Sequence, residues 1–330
     1  MEDYTKQKIN YTAAESFPTK VIADRDLAES IDVNRIIPPI HLQLSPTNRC
    51  NLNCPFCSCS QVDRKQQLTI DELKEIANIS ASLGTKAVTI TGGGEPLLHP
   101  EINTLIDVFH DLGVQIGLVS NGKAAKKLQG SSIDKITWIR VSFDDYREFN
   151  DEFISNMNHL VTSGHTDMAF SYVVSANVNL SGVEKIMNYA NLNDFTHVRF
   201  VSDIYFPNEE SINTITQHFK VNKINDDRAI YQARSKFTKG QKDCFVSLLK
   251  PIIAADGYIY PCCGVQYALA ENKDQKQFPE CMRMGHYSEL PKIINATQNF
   301  DGSMCVKCYY KNYNDVLSLL MGDLKHKEFV

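Results

Sequence analysis

The chain has 330 residues, 43% of them apolar, which is enough for one large domain with a buried core and a smaller appendage. A formal net charge of −5 and a pI near 6.0 leave no basic stripe to track phosphates, which argues against nucleic acid and for a small-molecule or peptide substrate. No run of about 18 apolar residues occurs, and the N-terminus, MEDYTKQKIN, is polar with mixed charge, so neither membrane span nor signal peptide is expected and a cytoplasmic location is read.

In chain order, residues 1–37 lack a sustained apolar period and read as an N-terminal extension, too short for a leader-peptide recognition domain. Pro38-Pro39 punctuate the entry into a first strand near 40–45. Further strands are predicted near 86–91, 115–119, 137–142, 168–174 and 197–201, separated by amphipathic helices over 69–83, 102–112, 147–162 and 183–191. Six β-then-α units predict an α/β fold over residues 38–210: a parallel sheet with right-handed crossovers, curled into a partial (β/α)6 barrel. Chemistry in such barrels collects where strands end at their C-terminal edge. Each expected exit carries hydrogen-bonding residues, at 45–50, 91–95, 120–122, 142–145, 175–177 and 202–203. Residues 211–241 read as a helix and linker, and 242–330 as a small cysteine-rich α+β domain with a helix over 315–321.

Ten cysteines fall in two groups, four between positions 50 and 59 and six between 244 and 308. A disulfide framework belongs to short secreted chains, so two metal sites are the better expectation. Cys50, Cys54 and Cys57 are spaced C-x3-C-x2-C, which lets one loop ligate three corners of a cubane cluster and leaves the fourth iron for an outside ligand. Cys59 reads as a spectator, because so short a loop does not wrap four sulfurs around one cube. The alternative is structural zinc, but no second cysteine pair follows before Cys244.

With Phe56 preceding the third cysteine, this loop resembles the signature of radical S-adenosylmethionine (SAM) enzymes. Thr91-Gly92-Gly93-Gly94-Glu95-Pro96 is similar to that family's glycine-glycine-glutamate motif, Leu118-Val119-Ser120-Asn121-Gly122 to its third-strand ending, and Val141-Ser142-Phe143-Asp144 to its fourth. The resemblance implies a [4Fe-4S] cluster with one open iron and SAM bound to it, contacted by Phe56, Gly93, Gly94, Glu95, Ser120, Asn121 and Ser142. It also implies reductive cleavage of SAM to methionine and a 5′-deoxyadenosyl radical that takes hydrogen from a substrate, with electrons from a flavodoxin- or ferredoxin-type donor.

Cys244 and Cys262 flank Gly257 as C-x12-G-x4-C, and Cys305-x2-Cys308 follows. Ala255-Asp256-Gly257-Tyr258 reads as a hairpin turn that brings Cys262 back beside Cys244. This resembles the first half of a SPASM auxiliary domain in its short, twitch form, implying a second, auxiliary [4Fe-4S] cluster on Cys244, Cys262, Cys305 and Cys308, with zinc as the alternative. Cys263 and Cys281 lie outside the pattern. A fully ligated cluster favours electron transfer, hence a net two-electron oxidation.

Oxidising a carbon radical requires a base or a cation near the substrate. Asp144, Arg199 and Tyr172 are the catalytic candidates, with Asp145, Asp203 and Tyr205 at neighbouring exits; His99 reads as the start of a helix. The expected activity is dehydrogenation of a small biosynthetic intermediate such as a carbohydrate or aminocyclitol. Peptide modification by an epimerase or crosslinking maturase, or a non-catalytic iron-sulfur or zinc protein, are the alternatives.

Overall fold

The computed structural model describes residues 20–161, 166–205, 207–234, 237–269 and 278–322. Most of the expected N-terminal extension and the last residue of the helix expected over 147–162 lie outside these residues.

Six parallel strands follow the predicted alternation: β1 (His41–Leu44), β2 (Ala87–Ile90), β3 (Gln115–Ser120), β4 (Trp138–Asp144), β5 (Asp167–Val174) and β6 (His197–Ser202), hydrogen-bonded in chain order. A helix α1 (Arg25–Asp32) precedes them, and α2 (Ile70–Ser82), α3 (Ile102–Asp111), α4 (Asp151–Val161), α5 (Leu180–Leu192) and α6 (Glu209–Asn222) follow β1, β2, β4, β5 and β6. Helix α2 starts at a capping box: Glu72 N donates to the Thr69 hydroxyl, and Thr69 N returns a 2.7 Å bond to the Glu72 carboxylate. Helix α4 begins at Asp151 rather than 147, because residues 144–147 are spent on a turn in which Tyr146 N and Arg147 N bond back to Asp144.

Side chains alternate between two faces of every strand. Phe143, Phe170, Tyr172 and Phe200 point outward to the helices, with ring centroids 4.8 Å between Phe143 and Phe153, 4.6 Å between Phe170 and Phe195, and 5.7 Å between Phe200 and Phe219. Burying one such ring contributes roughly 1.5–3 kcal/mol, so this aromatic layer fixes the helices on the outside of the curved sheet. The opposite parity, with Gln43, Thr89, Gly117, Trp138, Arg140, Ser171 and Arg199, lines a lumen. Gly117 is required there, since a Cβ would sit 2.2 Å from the Trp138 ring.

Three features depart from the expected layout. The stretch read as a linker contributes a seventh parallel strand, β7 (Ala229–Gln232), paired with β6. The C-terminal region does not stand apart: β9 (Ile252–Ile253) runs parallel to β1, and β10 (Tyr258–Tyr260) and β11 (Gly285–His286) extend the same sheet. The order is β11-β10-β9-β1-β2-β3-β4-β5-β6-β7. A separate two-stranded ladder joins β8 (Asp243–Cys244) to β12 (Phe300–Asp301). Finally, α1 buries Leu27 and Ile31 and packs on the last helix, where Arg35 Nη1 donates to Leu320 O. The last helix, α8 (Lys311–Met321), follows α7 (Leu290–Asn295). No helix among the described residues is long and apolar enough to cross a membrane.

Candidate radical and auxiliary cluster sites

The loop after β1 carries Cys50, Cys54 and Cys57, and a turn closed by Cys57 N on Cys54 O draws the last two together. Burial raises the Cys54 thiol to about 11, and Asp144 and the other two thiols push the same way. A thiol that resists ionising beside two others suits a metal centre, whose positive charge stabilises thiolates. Cys59 turns away: it is 5% exposed, in an apolar cluster with Val62, Ile252 and Tyr260.

The glycine loop after β2 is pressed against the cysteine loop. A Cβ on Gly94 would lie 2.2 Å from Arg49 O and 2.4 Å from Asn48 C, and one on Gly93 would meet Asn48 Oδ1 at 2.0 Å. Gly92 has only ordinary 3.4 Å contacts. Here the close backbone approach is made by the chain itself, so two of the glycines set the distance between the two loops.

Glu95 is 2% exposed and its carboxylate is already engaged. Oε1 accepts from Ser120 Oγ at 2.8 Å and Leu97 N at 3.0 Å, and Oε2 accepts from Asn121 N at 2.6 Å. Burial raises its pKa, and those three donors oppose the rise. Glu95 and Ser120 therefore lock the β2 and β3 exits together. Asn121 continues the link, its amide donating to Asn51 Oδ1 at 2.8 Å. Phe56 stacks on Tyr146 with centroids 6.3 Å apart, joining the cysteine loop to the β4 exit.

Two arginines tie these loops, and neither was singled out from the sequence. Arg64 Nη1 donates to Gly93 O at 2.7 Å and to Asn48 O, with Nη2 4.0 Å from Cys57 Sγ. Arg147 lies over the Phe143 ring at 4.9 Å, donates to Ser142 O, and faces Asp144, Cys54 and Glu95. The sequence signal for both was weak, since each depends on contacts that only the folded loops create.

The other candidates separate by parity. Asp144 is 4% exposed at the lumen mouth, where burial raises its carboxyl against the pull of the Tyr146 amide and Arg147. Ser142 pairs with Ser171, whose hydroxyl receives Arg199 Nη2 at 3.1 Å. Tyr172 points the other way: fully buried among Phe143 and Phe200, it donates to Asp145 Oδ1 at 2.8 Å, which removes it from the lumen and from the catalytic set. Asp145 also accepts from Ser175 N and Asn179 N, so it organises the β5 exit. His99, 1% exposed, bonds Leu68 O through Nε2 and accepts Glu101 N at Nδ1, which makes it structural. Asp203 caps a turn at Tyr205, and Tyr205 OH reaches Ser58 O and Gln266 O.

In the C-terminal region, Cys244, Cys262, Cys305 and Cys308 line a single cavity with Gly264, Gly302 and Asn314. The hairpin reading holds, with Ile259 opposite Ile253 and Gly257 at φ +79°. Burial raises all four thiols, Cys244 to about 11 and Cys305 to about 12, and each is raised further by a neighbour in the set or, for Cys308, by Asp315. Asn314 Nδ2 donates to Cys244 Sγ, and Gly264 N to Cys262 Sγ. Cys263 bonds Tyr310 OH at 3.2 Å, and Cys281 is exposed. Among the described residues, no group of three or more His, Cys, Asp or Glu side chains is set to hold a single metal ion.

Residues 44–190 match the model of the Radical SAM superfamily, covering both loops and the β3 and β4 exits. This is a radical SAM domain. GTP 3′,8-cyclases from several Staphylococcus aureus strains are 32% identical to the chain over 153 residues, 43% of this chain and 45% of theirs, so the match spans under half the length of these curated relatives. Streptococcus suis SuiB bound to its precursor peptide SuiA shares the fold with a TM-score of 0.57 at 12% identity, covering 91% of this chain and 78% of that one. A structure of anSMEcpe with bound AdoMet and a peptide superimposes with a TM-score of 0.53 at 14% identity, covering 86% and 97%. These neighbours carry the α/β radical SAM fold past the matched domain into the cysteine-rich C-terminus.

Proposed function

We propose that the chain is a radical SAM oxidoreductase with two [4Fe-4S] clusters, which dehydrogenates a small biosynthetic intermediate held in the barrel lumen. The first cluster would be held by Cys50, Cys54 and Cys57, and the auxiliary one, in a SPASM/twitch-type region, by Cys244, Cys262, Cys305 and Cys308. When bound, SAM and the reduced cluster supply a 5′-deoxyadenosyl radical that abstracts hydrogen. The chain's own part is positioning and exclusion of water. Arg64 holds the cysteine loop against Gly93, Glu95 fixes the β3 exit beside it, and Asp144 sits over the lumen as a proton acceptor whose carboxyl burial raises above its ordinary value.

The observation that carries the auxiliary cluster is the convergence of four thiols on one cavity backed by glycine and Asn314. Tyr205 and the Ser58–Gln266 pair fasten the first cysteine loop to this region. Replacing Cys305 with Ala is expected to remove about half of the iron and sulfide of the reconstituted protein. Full retention of both in C305A would sink the two-cluster reading.

A further inference from the structure

We propose that the lumen binds an oxyanion, with Arg140 and Arg199 holding a phosphate or carboxylate group of the substrate. This rests on the reading of the lumen as the substrate chamber and names the chemistry it selects. Both arginines stand on the inward face: Arg140 lies 5.4 Å over the Trp138 ring, and Arg199 reaches Ser171 on the next strand. Neither pairs with a described carboxylate, and the Nε of each is buried without a hydrogen-bond partner. The groups that act on them most are other cations: Arg140 and Arg234 on Arg199, and Arg234 on Arg140. Besides these cations, the groups acting on them are Cys263, Tyr309 and Tyr310, none of them a carboxylate, and none of the seven proposed cluster thiols is among them.

A buried lysine would escape this situation by losing its proton, but arginine keeps its charge. Burial and mutual repulsion push Arg140 down to about 10 and Arg199 well below its ordinary range, but a guanidinium stays protonated across the cell's pH range. No carboxylate among the described residues supplies the counter-charge, which is assigned to the bound anion. Planar guanidinium forks with free N–H groups match the paired oxygens of carboxylate or phosphate. The register sets the depth. Asp144 aligns with Val201, two residues beyond Arg199, and lies four residues beyond Arg140, so at roughly 3.3 Å per residue an anion between the two arginines lies about 7–13 Å below the mouth. A small substrate anchored there presents a carbon at the mouth, next to the Cys54 loop.

Trp138 is the sole tryptophan of the chain and reports on Arg140 directly. The test is titration of the cluster-loaded wild-type protein, at low salt, with inorganic pyrophosphate and in parallel with citrate, following tryptophan emission. A saturable change with either probe is expected, and its identity tells phosphate from carboxylate. R140Q and R199Q should each weaken it by about tenfold or more, with thermal midpoints at or above wild type because a repelling buried cation has gone. R199K, which keeps charge and fold but loses the fork, should weaken it less than R199Q. No saturable change with either probe, or titrations unaltered in R140Q and R199Q, would overturn the inference. SAM cleavage by the same wild-type sample separates the two claims. Cleavage without anion binding defeats only the oxyanion site, and anion binding without cleavage defeats only the proposed function.

Discussion

Replacing Cys54 with Ala is expected to reduce SAM cleavage to the protein-free background and to remove about half of the iron, leaving the auxiliary set loaded. The reasoning starts from the loop. Only three thiols converge there, Cys59 being buried in the apolar cluster behind it, so no reserve ligand can take the place of Cys54. Cys54 is also the proposed ligand that lies close to Asp144 and Arg147. Losing it removes one corner of the cube and the contact between the cluster and the lumen mouth. Iron and sulfide analysis with chromatographic detection of 5′-deoxyadenosine checks both parts. Retention of cleavage above background in C54A would require a different ligand set.

A second large effect is expected from Gly94→Ala. Its Cβ would meet the backbone of Asn48 and Arg49 at 2.2–2.6 Å, and backbone cannot rotate away as the end of a side chain can. The cysteine loop, tied by Glu95 N to Arg49 O at 2.7 Å, must shift immediately before Cys50. Overpacking of this kind costs on the order of 3 kcal/mol, and because it falls beside a cluster ligand, cluster occupancy should drop with it. Gly92→Ala is the control: with contacts of 3.4 Å it should stay within about 1 kcal/mol of wild type. Thermal midpoints and iron content of the two variants decide the matter. Equal behaviour would show that the loops are not held at the separation the glycines define.

The parts of this molecule that were legible in the sequence are those written locally. Six strands and four helices follow from apolar alternation and caps, and the two cysteine sets and the glycine loop announce themselves by spacing. What escaped is non-local or short. The segment Ala229–Gln232 has four residues and gains its strand identity only from β6 beside it. Pairing of Ile252–Ile253 with β1 joins positions over 200 residues apart, so no window of sequence displays it. Helix α1 is apolar at only two inward positions, Leu27 and Ile31, within a charged surround. Tyr172 was misplaced because an exit residue was read without its parity: Phe170, Tyr172 and Val174 share the outward face, while Ser171 faces the lumen. The same alternation, applied to Trp138-Ile139-Arg140-Val141-Ser142, marks Arg140 as an inward cation and could have found it. Arg64 and Arg147 left no such pattern, for their roles come from loops brought together by folding.

The most direct test of the account is anaerobic incubation of the reconstituted wild-type protein with SAM and a strong reductant, with cluster occupancy confirmed beforehand. Methionine and 5′-deoxyadenosine in equal amounts, formed well above a protein-free control and dependent on the reductant, is the predicted result. Full occupancy of both clusters with neither product above the control would contradict it.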